Sequence, residues 1–172
     1  QQTSSSAELS RVLVKFPTST IATDRTSGVL PKSGSVNFIL KLANAEHSNT
    51  APASSQVDIL PVSRAWTEGT GLDMEDYRDS GTSNWVNASD GAAWTKQGGD
   101  YYSQPAYVKS FDTGVEDLEV DITSMVEEWI AGTKPNYGLG VKFSPTYEAY
   151  TSHSAGAHVG SILHNPTGAT RS

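Results

Sequence analysis

Apolar and polar side chains alternate along much of the chain, with the period of two that is typical of half-buried β-strands. The clearest cases are residues 35–44 and 117–122, where every second side chain is hydrophobic and most of those between are polar. Such alternation indicates strands with one buried face and one solvated face, as in antiparallel sheets. The pattern predicts strands at 9–16, 35–44, 56–62, 107–111, 117–122 and 139–143, and a short last strand at about 159–164.

Two of these strands carry further information. In the first strand we expect Val12, Val14 and Phe16 to face the core, and Leu13 to be partly covered from the other side. Pro61 lies near the end of the third strand. Because proline has no N–H to donate to a ladder, it suggests an edge strand or a bulge.

The stretch at about 124–131 has helical periodicity instead, with apolar positions at the spacing of one helix face. Those positions are Ile122, Met125, Val126, Trp129 and Ile130. Ser124 and Glu127 fit a capping box at the start of this helix, and Gly132 is placed to end it in a left-handed conformation. Residues 18–24 are also predicted to form one helical turn.

A long irregular segment, residues 64–105, separates the third strand from the next one. A segment of that length in a compact domain is usually functional or packed on itself as an excursion. We see no internal repeat and no linker, so residues 1–172 are predicted to form a single domain. The fold class that follows is mainly β: an antiparallel, jelly-roll-like β-sandwich with one short amphipathic helix covering one face or end of a sheet.

The composition narrows the classes of partner. The net charge of −7 disfavours binding to nucleic acid or to an anionic membrane surface, since both need clustered lysine and arginine. No apolar run approaches the roughly 20 residues that span a bilayer. Cysteine is absent, so cysteine usage does not distinguish a reducing from an oxidising cellular compartment. Because the sequence starts at Gln1 without a signal-peptide pattern, we expect a processed product or the ordered part of something longer.

An acidic run in the long segment is the one candidate for a metal site. Asp73, Glu75 and Asp76 could contribute oxygen ligands to Ca²⁺, which takes six to eight of them. The spacing does not match the EF-hand pattern. We favour a solvated acidic loop, since charge runs usually lie at the surface, and we expect no cofactor.

The aromatic residues of the same segment are the candidates for ligand binding. Together with Trp66, these aromatic rings could stack on sugar rings or bases, and we assign the platform to Trp85, Trp94, Tyr101 and Tyr102. The alternative, which we favour, is that the tryptophans are hydrophobic pins that hold the long segment onto the sandwich.

No residue pattern points to a reaction, so the chain is predicted not to be an enzyme. A Gly-x-Ser-x-Gly elbow is absent, and nothing in the local sequence singles out a nucleophile. The spacing of His153, His158 and His164 fits no zinc motif, and the same holds when His47 is added.

The order of several motifs resembles the DNRLRE-type β-sandwich domain over roughly residues 9–144. The matching segments are Leu9–Phe16, Trp66–Glu68, Asp121–Gly132 and Asn136–Leu139. The resemblance implies a β-sandwich of the kind found in bacterial and archaeal surface proteins, some of which are treated as carbohydrate-binding modules. Its motifs are structural, so it speaks to the fold more than to the function.

A narrower resemblance is to uncharacterised structural-type proteins of tailed phages, especially marine ones. It is carried by Ala7–Pro17, Asn44–His47, Glu68–Tyr77, Ser83–Trp85 and Gly98–Tyr102. In those relatives the chain starts one strand earlier and continues beyond the position of Ser172. The resemblance therefore implies a sandwich that lacks its first and last strands here.

Two functions from different classes follow from these observations. We expect a non-enzymatic structural protein of a bacteriophage virion, in the tail, neck or capsid-decorating layer, with other copies of itself or other virion proteins as partners. The alternative is a carbohydrate-binding module of a secreted or cell-surface protein, with glycans as partners.

Overall fold

The computed structural model describes residues 10–45, 54–69 and 81–148. Within these ranges the chain is mainly β with antiparallel sheets, which confirms the predicted fold class. The elements are β1 (Val12–Val14), α1 (Ser19–Ser27), β2 (Ile39–Leu42), β3 (Ser55–Pro61), β4 (Asn87–Ser89), β5 (Ala92–Ala93), β6 (Tyr107–Phe111), β7 (Leu118–Asp121), α2 (Thr123–Ala131), β8 (Leu139–Phe143) and α3 (Pro145–Glu148). The strand predicted at 159–164 lies outside the described residues.

The strands form one four-stranded sheet and two two-stranded sheets, all antiparallel. The larger sheet has the order β1-β8-β3-β6, and the smaller ones pair β2 with β7 and β4 with β5. The prediction that Pro61 marks an edge or a bulge is wrong, because β3 lies between β8 and β6. Pro61 is tolerated because the pairing with β6 stops at Ile59 and Tyr107, so no ladder bond is needed from it on that side.

The first hydrophobic core lies between the four-stranded sheet, the β2–β7 sheet and α2, in a sandwich-like arrangement. Its buried members come from all three parts, and the apolar face of α2 packs into it as its periodicity predicts. They are Leu40, Ile59, Leu118, Ile122, Met125, Val126, Trp129 and Leu139. The alternation over β2 and β7 is therefore confirmed, since their inward residues meet the helix stripe.

The two ends of α2 were predicted with different success. Gly132 has a φ of 71° and adopts the left-handed conformation that ends the helix, as predicted. The capping box is wrong: the helix begins one residue earlier, and no side chain caps its first turn from the N-cap position. Glu127 instead binds Arg25, and the carboxylate of Asp121 accepts the Thr123 N–H at 2.9 Å.

Two further helices accompany α2, so the prediction of one helix is incomplete. The turn predicted at 18–24 extends into the nine-residue α1, which buries no residue and so carries no hydrophobic stripe to read in the sequence. It is attached by Arg25, whose guanidinium donates to both carboxylate oxygens of Glu127 at 2.5 and 2.8 Å. The third helix, α3, is a single turn that follows β8.

The edge position of β1 changes the predicted burial of its side chains. Val14 packs against the first core, and Leu13 packs on the opposite side of the sheet, both as predicted. Val12 and Phe16 were predicted to face the core, yet they are 53% and 43% exposed. Val12 shares a sheet face with Val141, but no described strand lies beyond β1 to cover it.

The described parts of segment 64–105 cover the opposite face of the four-stranded sheet. A second hydrophobic cluster forms there from Val62, Ala88 and Trp94, with four half-buried neighbours. Those neighbours are Leu13, Trp66, Tyr101 and Tyr137. The described residues of this segment thus form a third layer, with the large sheet in the middle.

Candidate functional site

Several predicted site residues lie outside the described ranges. Asp73, Glu75 and Asp76, proposed as Ca²⁺ ligands, are among them, and so are all four histidines. Within the part of the chain that the structure describes, no three histidine, cysteine, aspartate or glutamate side chains cluster closely enough to hold a metal ion.

The four residues of the predicted aromatic platform have separate environments. Trp94 is only 6% exposed, and its indole N–H donates to the Asn84 carbonyl at 2.8 Å, so this ring is an interior pin. Tyr101 and Tyr102 are half-buried, and the Tyr101 hydroxyl donates to the Gly98 carbonyl at 2.8 Å. Burial raises the pKa of Tyr101. The structure therefore does not bring the four rings together on one exposed surface.

The ring of Tyr102 lies beneath a cation. The Lys134 Nζ atom is 5.4 Å from the centre of the Tyr102 ring and also donates to the Glu128 carboxylate at 2.6 Å. A lysine held over an aromatic face in this way is a cation–π contact. Through this contact Tyr102 packs beside α2 and has a structural role there.

The remaining ring, Trp85, helps to line an open cleft of about 410 Å³ next to β1. The cleft combines half-buried aromatic rings with polar side chains, which is the usual composition of a small-ligand site. The residues that give it this character are Ser10, Trp66, Glu68, Ser83, Asn84 and Trp85. We call this site the tryptophan cleft.

Of the residues predicted for ligand binding, the half-buried Trp85 and the buried Trp94 line the tryptophan cleft. Trp66, which the sequence also offers as a stacking residue, lines the cleft, whereas sequence reasoning missed Glu68 and Asn84 as site residues. A signal was present, because Trp66 and Glu68 belong to one of the motifs that carried the domain resemblance. The spacing along the chain gave no reason to bring them to Trp85.

Trp66 and Asn84 are fixed by hydrogen bonds of their own. The Trp66 indole N–H donates to the Tyr137 carbonyl at 2.7 Å, which ties the ring to the turn before β8. The Asn84 side-chain oxygen accepts the amides of Val86 and Asn87 at 2.9 and 2.8 Å. These bonds use the side-chain oxygen of Asn84, an exposed residue, and its side-chain N–H₂ is the group that can donate to a ligand.

Arg11 fixes the orientation of Trp85. Its guanidinium carbon lies 4.9 Å from the centre of the Trp85 ring, and Nη1 donates to the Gly98 carbonyl at 2.8 Å. Gly98 has a φ of +82°, and a Cβ there would lie 2.5 Å from Nη1 and 2.9 Å from the Trp85 ring. Only glycine allows this loop to approach so closely.

The charge of Arg11 is neutralised by Glu148. Nε and Nη2 donate to the two carboxylate oxygens at 2.8 and 2.7 Å, in the bidentate geometry that arginine favours. Burial opposes the cationic form, but the hydrogen bonds and charge of Glu148 outweigh it and raise the pKa of Arg11. Among the described lining residues, the exposed carboxylate of Glu68 is then the remaining formal charge.

A second cleft of about 520 Å³ lies on the other side of Tyr101, beside Arg64 and Lys96. Its acidic residue, Asp100, accepts the amides of Thr95 and Lys96 at 2.9 Å each. Burial favours the neutral acid, but these amides outweigh it and lower the pKa of Asp100. The carboxylate therefore holds its own loop together, and we assign this cleft a structural role.

A buried polar cluster lies on β3 and β8, where Asp58 and Lys142 are directly paired. The Lys142 Nζ atom is 3.2 Å from the Asp58 carboxylate, and the buried Ser144 hydroxyl donates to the same carboxylate. The serine hydroxyl is thus committed to a carboxylate inside the protein. Its role is to help satisfy the half-buried charges of the pair.

Comparison of the chain with protein-family models, with curated proteins and with solved structures gives no match. The resemblances to the DNRLRE-type domain and to phage structural proteins therefore stay predictions. Among the described helices, none is long and apolar enough to cross a membrane.

Proposed function

We propose that the chain is a non-enzymatic structural protein of a virion that acts through protein–protein interfaces. The observation that carries the proposal is the open edges of its sheets. In the described ranges, β1 and β6 end the four-stranded sheet, and each presents an exposed valine. These are Val12, 53% exposed, and Val108, 59% exposed. An apolar edge strand is a template for pairing with another chain.

The smaller sheet supports the same proposal. Two strands, β2 and β7, face a sheet of four, and Ile39 in β2 is also exposed. A strand from another copy or another virion protein can extend such a sheet through main-chain hydrogen bonds. Repeated pairing of this kind between identical chains builds closed rings or open filaments, which are the architectures of tails and necks. The phage resemblance of the sequence points in the same direction.

The interface is tested by sedimentation velocity over a range of protein concentrations. We expect wild-type chain to associate, and Val108→Lys to weaken association at least tenfold, because a lysine on an edge strand opposes pairing. Val115→Lys is the matched control, since Val115 is equally exposed but follows β6 in a turn rather than in a strand. Equal association of both variants contradicts pairing through β6.

The virion assignment has a separate test. Mass spectrometry of purified virions of the phage that encodes the chain should detect it as a repeated component. Particles without any trace of the chain overturn the assignment, whatever the purified protein does in solution.

A second candidate function is glycan binding, and the tryptophan cleft favours it. Trp66 and Trp85 supply aromatic faces beside hydroxyl, amide and carboxylate groups, the combination that recognises sugar rings. We expect Trp85→Ala to abolish glycan binding measured by calorimetric titration, while the variant keeps its far-ultraviolet circular dichroism spectrum. Unchanged binding by the folded variant contradicts this function.

A further inference from the structure

We propose that the tryptophan cleft binds a short neutral glycan and that Glu68 turns acidic glycans away. The proposal rests on the second candidate function, glycan binding, and names the class of ligand. The size of the cleft, its polar groups and its charge support this assignment.

The size of the cleft sets the length of the ligand. Small-molecule sites have volumes of about 300–1,000 Å³. The tryptophan cleft, at about 410 Å³, is at the lower end of that range and is open to solvent. It therefore fits one or two sugar rings with the rest of a glycan outside.

The chemistry of the lining suits a pyranose ring. An aromatic ring stacks on the C–H face of a sugar, and Trp85 is held ready for this by Arg11 and Gly98. The hydroxyls at the edge of the sugar need donors and acceptors, which Ser83, Asn84 and Glu68 provide. Because Trp85 is already ordered, little freedom is lost when a ligand binds.

The charges of the cleft select against an acidic sugar. Arg11 is the only cation among the described lining residues, and its Nε, Nη1 and Nη2 atoms all donate to Glu148 or to the Gly98 carbonyl. Among the described lining residues, a sialic or uronic acid would therefore find the guanidinium of Arg11 already engaged, and it would share the cleft with the carboxylate of Glu68. Two like charges near a protein surface at about 4 Å repel enough to lower affinity by more than tenfold.

The experiment is an array of short glycans that pairs neutral members with sialylated or uronic-acid counterparts. The strongest neutral glycan and its acidic counterpart are then titrated calorimetrically into the full chain. We expect the neutral glycan to bind at least about tenfold more tightly. Glu68→Gln should reduce this ratio toward one, and Glu68→Lys should reverse it. Because Glu68 is exposed, both variants are expected to keep the wild-type fold.

A matched control comes from Tyr102, whose ring lies outside the cleft beneath Lys134. Tyr102→Ala should leave glycan affinity unchanged, whereas Trp85→Ala should abolish it. If the array shows tighter binding of acidic members, or if both Glu68 variants keep the wild-type ratio, the inference is overturned while glycan binding stands. Binding of no glycan at all overturns both.

Discussion

Trp94 gives the sharpest test of the third layer, because its ring lies between the large sheet and segment 81–105. It is 6% exposed and packs with Val62 and Ala88 in the second hydrophobic cluster. Trp94→Ala removes the largest side chain of that cluster and its hydrogen bond to the Asn84 carbonyl. If the layer is part of the cooperative fold, the loss must appear in the free energy of global unfolding.

The size of the effect follows from the area that the ring buries. A tryptophan buries about 150–250 Å². At about 25 cal/mol per Å², this corresponds to roughly 4–6 kcal/mol, and tryptophan-to-alanine changes in protein cores cost about 3–5 kcal/mol. We therefore expect a loss of about 4 kcal/mol. That is a large fraction of the roughly 5–15 kcal/mol by which a domain is stable.

The assay is urea unfolding followed by far-ultraviolet circular dichroism. Val115→Ala is the control, because Val115 is 63% exposed and its truncation should change stability by less than about 0.5 kcal/mol. A loss below about 1 kcal/mol for Trp94→Ala refutes the reasoning. It would mean that the segment opens independently of the sheet beneath it.

Three further changes probe other parts of the structure by the same urea assay. Gly140→Ala places a methyl group against the ring of Tyr101 and should cost about 1–3 kcal/mol; an unchanged midpoint contradicts that packing. Arg11→Met leaves the Glu148 carboxylate buried and unpaired, so we expect a loss of about 3–5 kcal/mol, and a loss under 1 kcal/mol refutes the buried pair. The hydrogen bond and charge of its arginine partner lower the pKa of Glu127 from 4.5, so the unfolded state binds more protons than the folded state as the pH falls below 4.5. Wild type should lose stability across that window, Glu127→Gln should lose less, and parallel pH profiles contradict the linkage.

The parts of the fold that could be predicted are those set by local periodicity. Strands β6 and β8 have the bounds 107–111 and 139–143 that the alternation predicts. The stripe of α2 is buried because its apolar residues repeat at the helical period, and Gly132 ends the helix because it adopts φ > 0 readily. Each of these signals lies within about ten residues of sequence.

The parts that could not be predicted depend on contacts between distant residues. Arg11 and Glu148 are 137 positions apart, and no local pattern pairs them. Glu127 was assigned to a capping box because the motif fits locally, but Arg25 of α1 offers the carboxylate a stronger, bidentate partner. Val12 follows the alternation of a core residue, yet it is exposed. The reason is that β1 lies at the edge of the described sheet, and the sheet order cannot be read from local sequence.

The candidate site shows the same division. Composition and segment length pointed to the aromatic residues of 64–105, and Trp85 does line the cleft. Trp94 is buried in the second hydrophobic cluster, whereas Tyr102 lies beneath Lys134 beside α2. These different positions depend on how the segment folds over the sheet. Whether a tryptophan is buried depends on the residues that pack around it. Those residues are distant in the sequence, so local patterns do not predict its burial.

Amide hydrogen exchange of the full chain, followed by nuclear magnetic resonance, tests the layered architecture most directly. The Thr67 and Trp94 amides donate to the carbonyls of Ala88 and Val86, each at 2.9 Å, within the third layer. We predict that they exchange as slowly as the amides that pair β3 with β8, because one cooperative unit protects them all. Exchange as rapid as that of the exposed Val115 would contradict a sheet covered on both faces, and with it the tryptophan cleft.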